Sequence, residues 1–332
     1  MIQKKLRTVI VTEYGYAIKR RKRLIVIFNL DGEQMLISPF EIDQIVISGN
    51  CSITSSAITL LLEHDVDVLF LPSHPEIAAR LMPVTGNTFI QLWMKQQSIT
   101  EEKRMAFACE IMRCAIYNKI RMLQQLMKNI PVSFSADIHQ LKVLQKTIDT
   151  VDSTNQLLGI EGNATRLYFS CIRQIIPKEF GFFTRKKHPS LDPVNAMLSY
   201  GYTILLSKVT QALLVSGLNI YQGFLHKHYR KHTALSFDIM ELFRQPVVDR
   251  VVITLINQKR VGVTDFQMSS DKCIMKKPLK KIFVDALYTR FEQVYKYRGE
   301  LVELQDIIQL QAIQLRTVIR DDSLSFTGFR YQ

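Results

Sequence analysis

Pro83-Val84-Thr85-Gly86-Asn87 divides this chain of 332 residues into two stretches with different apolar periods. Proline and glycine this close together interrupt both strand and helix patterns. Before them the sequence predicts short strands over residues 6–12, 24–29, 34–38, 44–48, 67–72 and 77–82, rich in Val, Ile, Leu and Phe. Turn signals separate them, such as Asn29-Leu30-Asp31-Gly32 and Gly49-Asn50. Ser52-Ile53-Thr54-Ser55-Ser56 offers hydroxyl caps to one short helix over residues 57–63. Arg20-Arg21-Lys22-Arg23 reads as a solvated turn between two strands.

After the divide the period becomes helical. Leu92, Met105 to Ile111, Ala115, Ile120 and Leu123 to Met127 recur at helix spacing up to Pro131. Further helices are predicted over 138–151, from an Asp152-Ser153-Thr154 cap to 176, over 195–216, over 236–258 with a break near Pro246, and over 277–297 and 300–320. Residues 177–193 carry Arg185-Lys186-Lys187-His188 without periodicity and read as a basic loop. The expected architecture is α+β: a small β-domain, residues 1–85, followed by a larger all-α domain, residues 86–332.

Charge separates the same two parts. The net charge is +13, yet residues 1–85 hold nine basic and nine acidic side chains, so the whole excess lies beyond them. Such an asymmetry points to a polyanionic partner for the second part. No apolar run reaches the roughly 20 residues of a membrane span, and the start is basic without a signal-peptide core. A cytoplasmic protein without membrane contact is expected. Cys51, Cys109, Cys114, Cys171 and Cys273 form no Cys-x-x-Cys pair, which argues against a zinc ribbon, and their odd number argues against a disulfide framework.

Chemistry concentrates between residues 161 and 241. Glu161 follows Leu157-Leu158-Gly159-Ile160, and on a helix it shares a face with Thr165 and Tyr168. His226 ends Gly223-Phe224-Leu225-His226 and opens a set with His228 and His232, interleaved with Lys227, Arg230 and Lys231. Asp238 and Glu241 lie three residues apart among Phe237, Ile239, Met240, Leu242 and Phe243. Acidic residues near a helix start also occur for the dipole alone. In an apolar setting, however, two carboxylates repel unless a cation neutralises them. Carboxylates with one imidazole suit Mg²⁺ or Mn²⁺, and the imidazole favours Mn²⁺.

Four motifs taken together resemble the CRISPR-associated protein one family, the integrases that add spacers to CRISPR arrays. They are Glu161-Gly162 through Tyr168-Phe169, Asp192-Pro193-Val194-Asn195, Gly217-Leu218 through His226, and Leu235 to Arg244. Phe40-Glu41-Ile42-Asp43-Gln44-Ile45-Val46-Ile47-Ser48-Gly49 and residues 57–62 resemble the family's β-domain. Departures are Thr165 in place of a usual Ala, the basic segment between His226 and Leu235, and the sequence after Arg320.

The resemblance implies a β-sandwich-like first domain that dimerises and a helical catalytic domain. It implies Glu161, His226 and Glu241 as catalytic metal ligands, with Asp238 beside them; the metal expected from the donor set is Mg²⁺ or Mn²⁺, and Asn195 and Tyr168 are further supporting candidates. Lys186, Lys187, His188, Arg230 and Lys231 are the expected phosphate contacts. The expected activity is metal-dependent spacer insertion by 3′-hydroxyl attack on repeat phosphodiesters, together with nuclease activity. Double-stranded DNA (protospacer and CRISPR repeat), a second copy of the chain and the CRISPR-associated protein two are the expected partners. A structure-selective repair nuclease with the same ligands and a non-catalytic DNA-binding scaffold are the alternative readings.

Overall fold

The computed structural model describes residues 8–12, 14–29, 32, 34–71, 78–82, 88–186, 189–226, 233–321 and 323–332. Two compact units divide the chain, Met1–Lys95 and Gln96–Gln332.

The first unit contains β1 (Thr8–Val11), β2 (Ala17–Arg21), β3 (Leu24–Phe28), β4 (Gln34–Ile37), β5 (Gln44–Ile47), β6 (Ser52–Ile53), α1 (Ser55–Glu63), β7 (Asp67–Phe70) and β8 (Ala79–Leu81). They form two four-stranded sheets, ordered β1-β5-β7-β8 and β4-β3-β2-β6. β1, β5 and β7 run parallel, whereas β2, β3 and β4 form an antiparallel meander. Ile18, Ile25 and Ile27 of one sheet, Ile45, Ile47 and Val68 of the other, and Ala57, Leu60 and Leu61 of α1 share one core. Those alternating apolar positions are what a half-buried strand requires. Thr54 caps α1, its hydroxyl accepting the Ala57 N–H at 3.4 Å.

The basic run 20–23 divides between two elements. Arg20 and Arg21 complete β2, and the hairpin turns at Lys22 with φ 58°. Arg20 Nε donates to Lys22 O at 2.9 Å and closes that turn. β2 and β6 escaped the sequence reading because charge or hydroxyl groups mask their short apolar content.

α2 (Thr88–Gln97) leads into the second unit. There α3 (Glu101–Met127), α4 (Ser135–Thr147) and α5 (Thr154–Ile175) pack against one another. α6 (Pro193–Val215) is buried along most of its length, as its unbroken apolar run requires. It packs against α7 (Ala234–Met240) and α10 (Leu304–Arg320). Near Pro246 the chain takes a π-turn over Arg244–Asp249 before α8 (Arg250–Asn257). A proline lacks the N–H that a continuous α-helix needs.

This unit also holds two antiparallel hairpins that periodicity does not reveal. One joins β9 (Phe266–Met268) to β10 (Cys273–Met275). The helix expected over 277–297 stops sooner, as α9 (Lys277–Phe291). The second hairpin follows it, β11 (Val294–Tyr297) paired with β12 (Glu300–Glu303). Arg298 and Gly299 form its two-residue turn, both with positive φ, which suits the twist of a tight hairpin. Among the described residues, no helix is long and apolar enough to cross a membrane.

Candidate metal and nucleic-acid site

Asp238 organises the centre of the second unit. It is wholly buried on α7. One oxygen, Oδ2, accepts the N–H groups of Phe224 at 2.5 Å and Leu225 at 3.1 Å. The other, Oδ1, accepts the His226 N–H at 3.0 Å and lies 2.7 Å from His226 Nδ1. The loop can come this close because residue 223 is glycine. A Cβ there would stand 2.7 Å from Asp238 Oδ2 and 2.8 Å from His226 O. The motif Gly223-Phe224-Leu225-His226 is thus a loop wrapped on one carboxylate.

The contact at Nδ1 occupies one ring nitrogen of His226, and a carboxylate behind an imidazole raises its basicity. Burial alone would lower the His226 pKa. The hydrogen bond and charge of Asp238, with the charges of Glu241 and Glu161, outweigh it and raise the pKa above the ordinary histidine value. Glu161 and Glu241 therefore share one electrostatic neighbourhood with His226, although they come from α5 and from the turn after α7.

Glu161 is half-buried and accepts a hydrogen bond from the Thr165 hydroxyl at 3.2 Å, so the two share a helix face. Glu241 is buried, and Arg244 Nε stands 2.9 Å from its Oε1. Burial would lower the Arg244 pKa, but Glu241 first, and then Glu161 and Asp249 among others, raise it. Arg244 lies inside a quoted motif, yet its role escaped the sequence reading because an Arg three residues after a Glu is ordinary on a helix surface.

The donor chemistry fits a hard divalent cation: two carboxylates and an imidazole backed by a third carboxylate. Among the described residues, no group of three His, Cys, Asp or Glu side chains is gathered closely enough to hold an ion. Glu161 and Glu241 each lie within electrostatic range of His226, and Glu241 is engaged by Arg244.

The supporting residues divide. Asp238 holds the histidine. Tyr168 is wholly buried and faces Asp249, which also accepts a 2.5 Å hydrogen bond from Tyr202. Burial and the Asp249 charge push both phenols far above their ordinary value. Asn195 organises the basic loop. Its Oδ1 accepts from Arg185 Nη1 at 2.8 Å and Lys186 N at 2.9 Å, while Nδ2 donates to Thr184 O and Asp192 Oδ2. Arg185 also lies over the Tyr202 ring, as Arg244 does, which links this loop to the Glu241 turn.

Of the expected phosphate contacts, Lys186 is exposed beside this network. Lys187, His188, Arg230 and Lys231 lie outside the described residues. A polar cavity of about 660 Å³ opens beside His226, lined also by Arg104, Asn219, Tyr221 and Gly223. Arg104 donates to Gly223 O at 2.9 Å and so steadies the cavity wall.

Residues 9–289 match the family described as CRISPR associated protein Cas1. The "CRISPR-associated endonuclease Cas1 1" of Archaeoglobus fulgidus is 30% identical over 342 aligned residues, covering 96% of this chain and 98% of that protein. A structure titled "Casposase bound to integration product" superposes with a TM-score of 0.86 at 23% identity, covering 98% of this chain and 100% of that one. One titled "Partial Cas6-RT-Cas1--Cas2 complex" gives a TM-score of 0.72 at 25% identity, with 99% and 100% coverage. The chain belongs to the Cas1 family of CRISPR-associated proteins.

Proposed function

We propose that this chain is a divalent-metal-dependent DNA integrase and endonuclease that inserts spacers into a CRISPR array. The observation that carries the reading is the His226 arrangement: Asp238 engages Nδ1 while the charges of Glu161 and Glu241 act on the same ring. The Archaeoglobus relative carries the name endonuclease, which supports the same activity here. The complex named with Cas2 supports a Cas1–Cas2 assembly for this chain.

Glu161, His226 and Glu241 would hold Mg²⁺ or Mn²⁺. Such an ion, when bound, supplies Lewis acidity that activates a 3′-hydroxyl and offsets charge at the target phosphodiester. Asp238 fixes the ring so that Nδ1 donates and Nε2 keeps its lone pair. Lys186 and the Asn195-ordered loop are suited to phosphate positioning. The 3′-oxygen of the incoming strand forms the new bond to phosphorus, and the target strand leaves with its own 3′-hydroxyl. No covalent protein–DNA intermediate is required, and water in place of the 3′-hydroxyl gives hydrolysis.

A homodimer through the first unit accompanies this reading. Met35 and Leu36 of strand β4, at the edge of its sheet, are 59% and 54% exposed, and Phe40 is 70% exposed. A solvent-exposed apolar edge strand is a pairing surface. A monomer in sedimentation at micromolar concentration would count against it.

The test is strand transfer. A labelled duplex with a 3′-hydroxyl end is incubated with a repeat-bearing DNA, Mn²⁺, this protein and its Cas2 partner. Joined product supports the integrase. Cleavage without joining favours a plain nuclease, and metal-independent binding with neither reaction leaves only a scaffold.

A further inference from the structure

We propose that residues 323–332, which follow α10, form a clasp that positions Glu241. The inference rests on the reading of Glu241 as part of the proposed site and adds a device to it.

Glu241, Leu242 and Phe243 lie between the end of α7 at Met240 and the π-turn that starts at Arg244. The hold on this turn comes from outside. Asn118 of α3 is wholly buried, and its Nδ2 donates to Leu242 O at 2.8 Å and to Phe329 O at 3.1 Å. Its Oδ1 accepts the Tyr331 N–H at 2.7 Å. One amide therefore ties the Glu241 turn to the final segment. The Phe329 ring stacks on Phe243 with centroids 5.2 Å apart and planes at 10°. A Cβ at Gly328 would stand 2.9 Å from Cys114 Sγ and 3.1 Å from Leu242 Cδ2, so the backbone itself presses on the residue after Glu241.

The clasp is anchored elsewhere too. Gln311 donates to Thr327 O and accepts the Phe329 N–H, Glu110 accepts the Gly328 N–H, and Arg290 donates to the Tyr331 hydroxyl. Leu242 and Phe243 are thus pinned against a surface fixed by α3, α9 and α10. Misplacing a reacting group by about 1 Å can cost a hundredfold in rate, which is the scale on which such a clasp acts. Plain core packing is the competing account, and it predicts lost stability without a specific loss of turnover.

Phe329→Ala and Gly328→Ala are compared with Phe134→Ala, a truncation at another buried Phe, at the start of α4. Each variant is assayed for thermal midpoint, amide exchange, duplex affinity and Mn²⁺-dependent cleavage. For Phe329→Ala, exchange should quicken at Leu242 and Phe243. Its kcat should fall about 10- to 100-fold, with KM and duplex affinity near wild type. Phe329→Tyr keeps the stacked ring and should recover kcat. Phe134→Ala, at a similar loss of stability, should keep kcat.

Equal kcat losses in Phe329→Ala and Phe134→Ala would overturn the clasp. If Phe329→Ala does not fold, Gly328→Ala decides, and wild-type kcat with unchanged exchange at Leu242 overturns it. If the wild-type protein neither cleaves nor joins DNA, the site reading fails. The exchange data still decide the clasp in that case.

Discussion

Asp238 grips His226 at two points, accepting its backbone N–H at 3.0 Å and standing 2.7 Å from ring Nδ1, both through Oδ1. Because Oδ2 already serves two further N–H groups, the carboxylate is committed to shaping the loop. Asp238 is accordingly a positioning residue.

Asp238→Asn keeps the size and loses the charge. An amide has one accepting oxygen, and its NH₂ would face backbone donors. The pKa of His226 should fall, since Asp238 is its leading source of upward shift. Turnover should drop about 10- to 100-fold, the usual effect of removing a partner that orients a ligating histidine. Steady-state cleavage with Mn²⁺ checks this, and an unchanged rate would show that the loop holds His226 unaided.

Glu161→Gln should separate catalysis from binding. Thr165 can still donate to the amide oxygen, so the helix face survives. Cleavage and strand transfer should fall by about 10²- to 10³-fold, the scale for removing one electrostatic stabiliser of the transition state. Duplex affinity should hold or rise slightly, because an anion near the phosphates is gone. Binding and both reactions measured on one preparation decide it. Joining at near wild-type rate would remove Glu161 from the site.

Arg244→Ala leaves Glu241 buried without its 2.9 Å partner. Breaking such a pair from one side costs about 3–5 kcal/mol. The loss should be smaller in Arg244→Ala combined with Glu241→Gln, where residue 241 no longer carries the charge that Arg244 meets. Urea unfolding of the single and double variants tests this. A loss of less than about 1 kcal/mol in the single variant would place the pair in the weak, solvent-screened class.

The raised pKa of His226 gives two opposite pH trends. In metal-free protein the protonated ring paired with Asp238 contributes stability that is fully present below the unfolded value of about 6.5. That contribution is lost as pH rises through the folded value, which lies higher. Metal binding needs the neutral ring, so stabilisation by Mn²⁺ should grow as pH rises through the same range. Thermal midpoints with and without Mn²⁺ across pH 5.5–8.5, set against His226→Gln, read both trends. Parallel profiles for the two proteins would exclude His226 as their source.

Duplex binding should be strongly salt-dependent and should reside in residues 86–332, because residues 1–85 carry no net charge. Each neutralised phosphate steepens the fall of log K with log salt by about 0.9. Replacing exposed Lys186 with Gln should reduce that slope by about one such step. A slope unchanged in Lys186→Gln would remove this side chain from the DNA path.

Local pattern was enough for the class of fold. Alternating Val, Ile and Leu before residue 83 and helical spacing after it follow from how strands and helices each bury one face, so the change of period marks a change of architecture. Glu161, His226, Asp238 and Glu241 stand out in the sequence as polar residues in apolar surroundings, which burial tolerates only with partners, but the resemblance and not their spacing singles out Glu161, His226 and Glu241 as ligands. The two hairpins were less so: three- and four-residue strands are too short to show a period, although Arg298-Gly299 is a readable turn. What only the tertiary structure decided is the division of labour. Asp238 and Glu241 look equivalent three residues apart, yet one is filled by backbone N–H groups and the other is met by Arg244. Asn118, Gly328 and Phe329 carry no local mark at all. Their partners at Leu242 and Phe243 lie far away along the chain, and hydrogen bonds and ring stacking act through space, where sequence separation has no meaning.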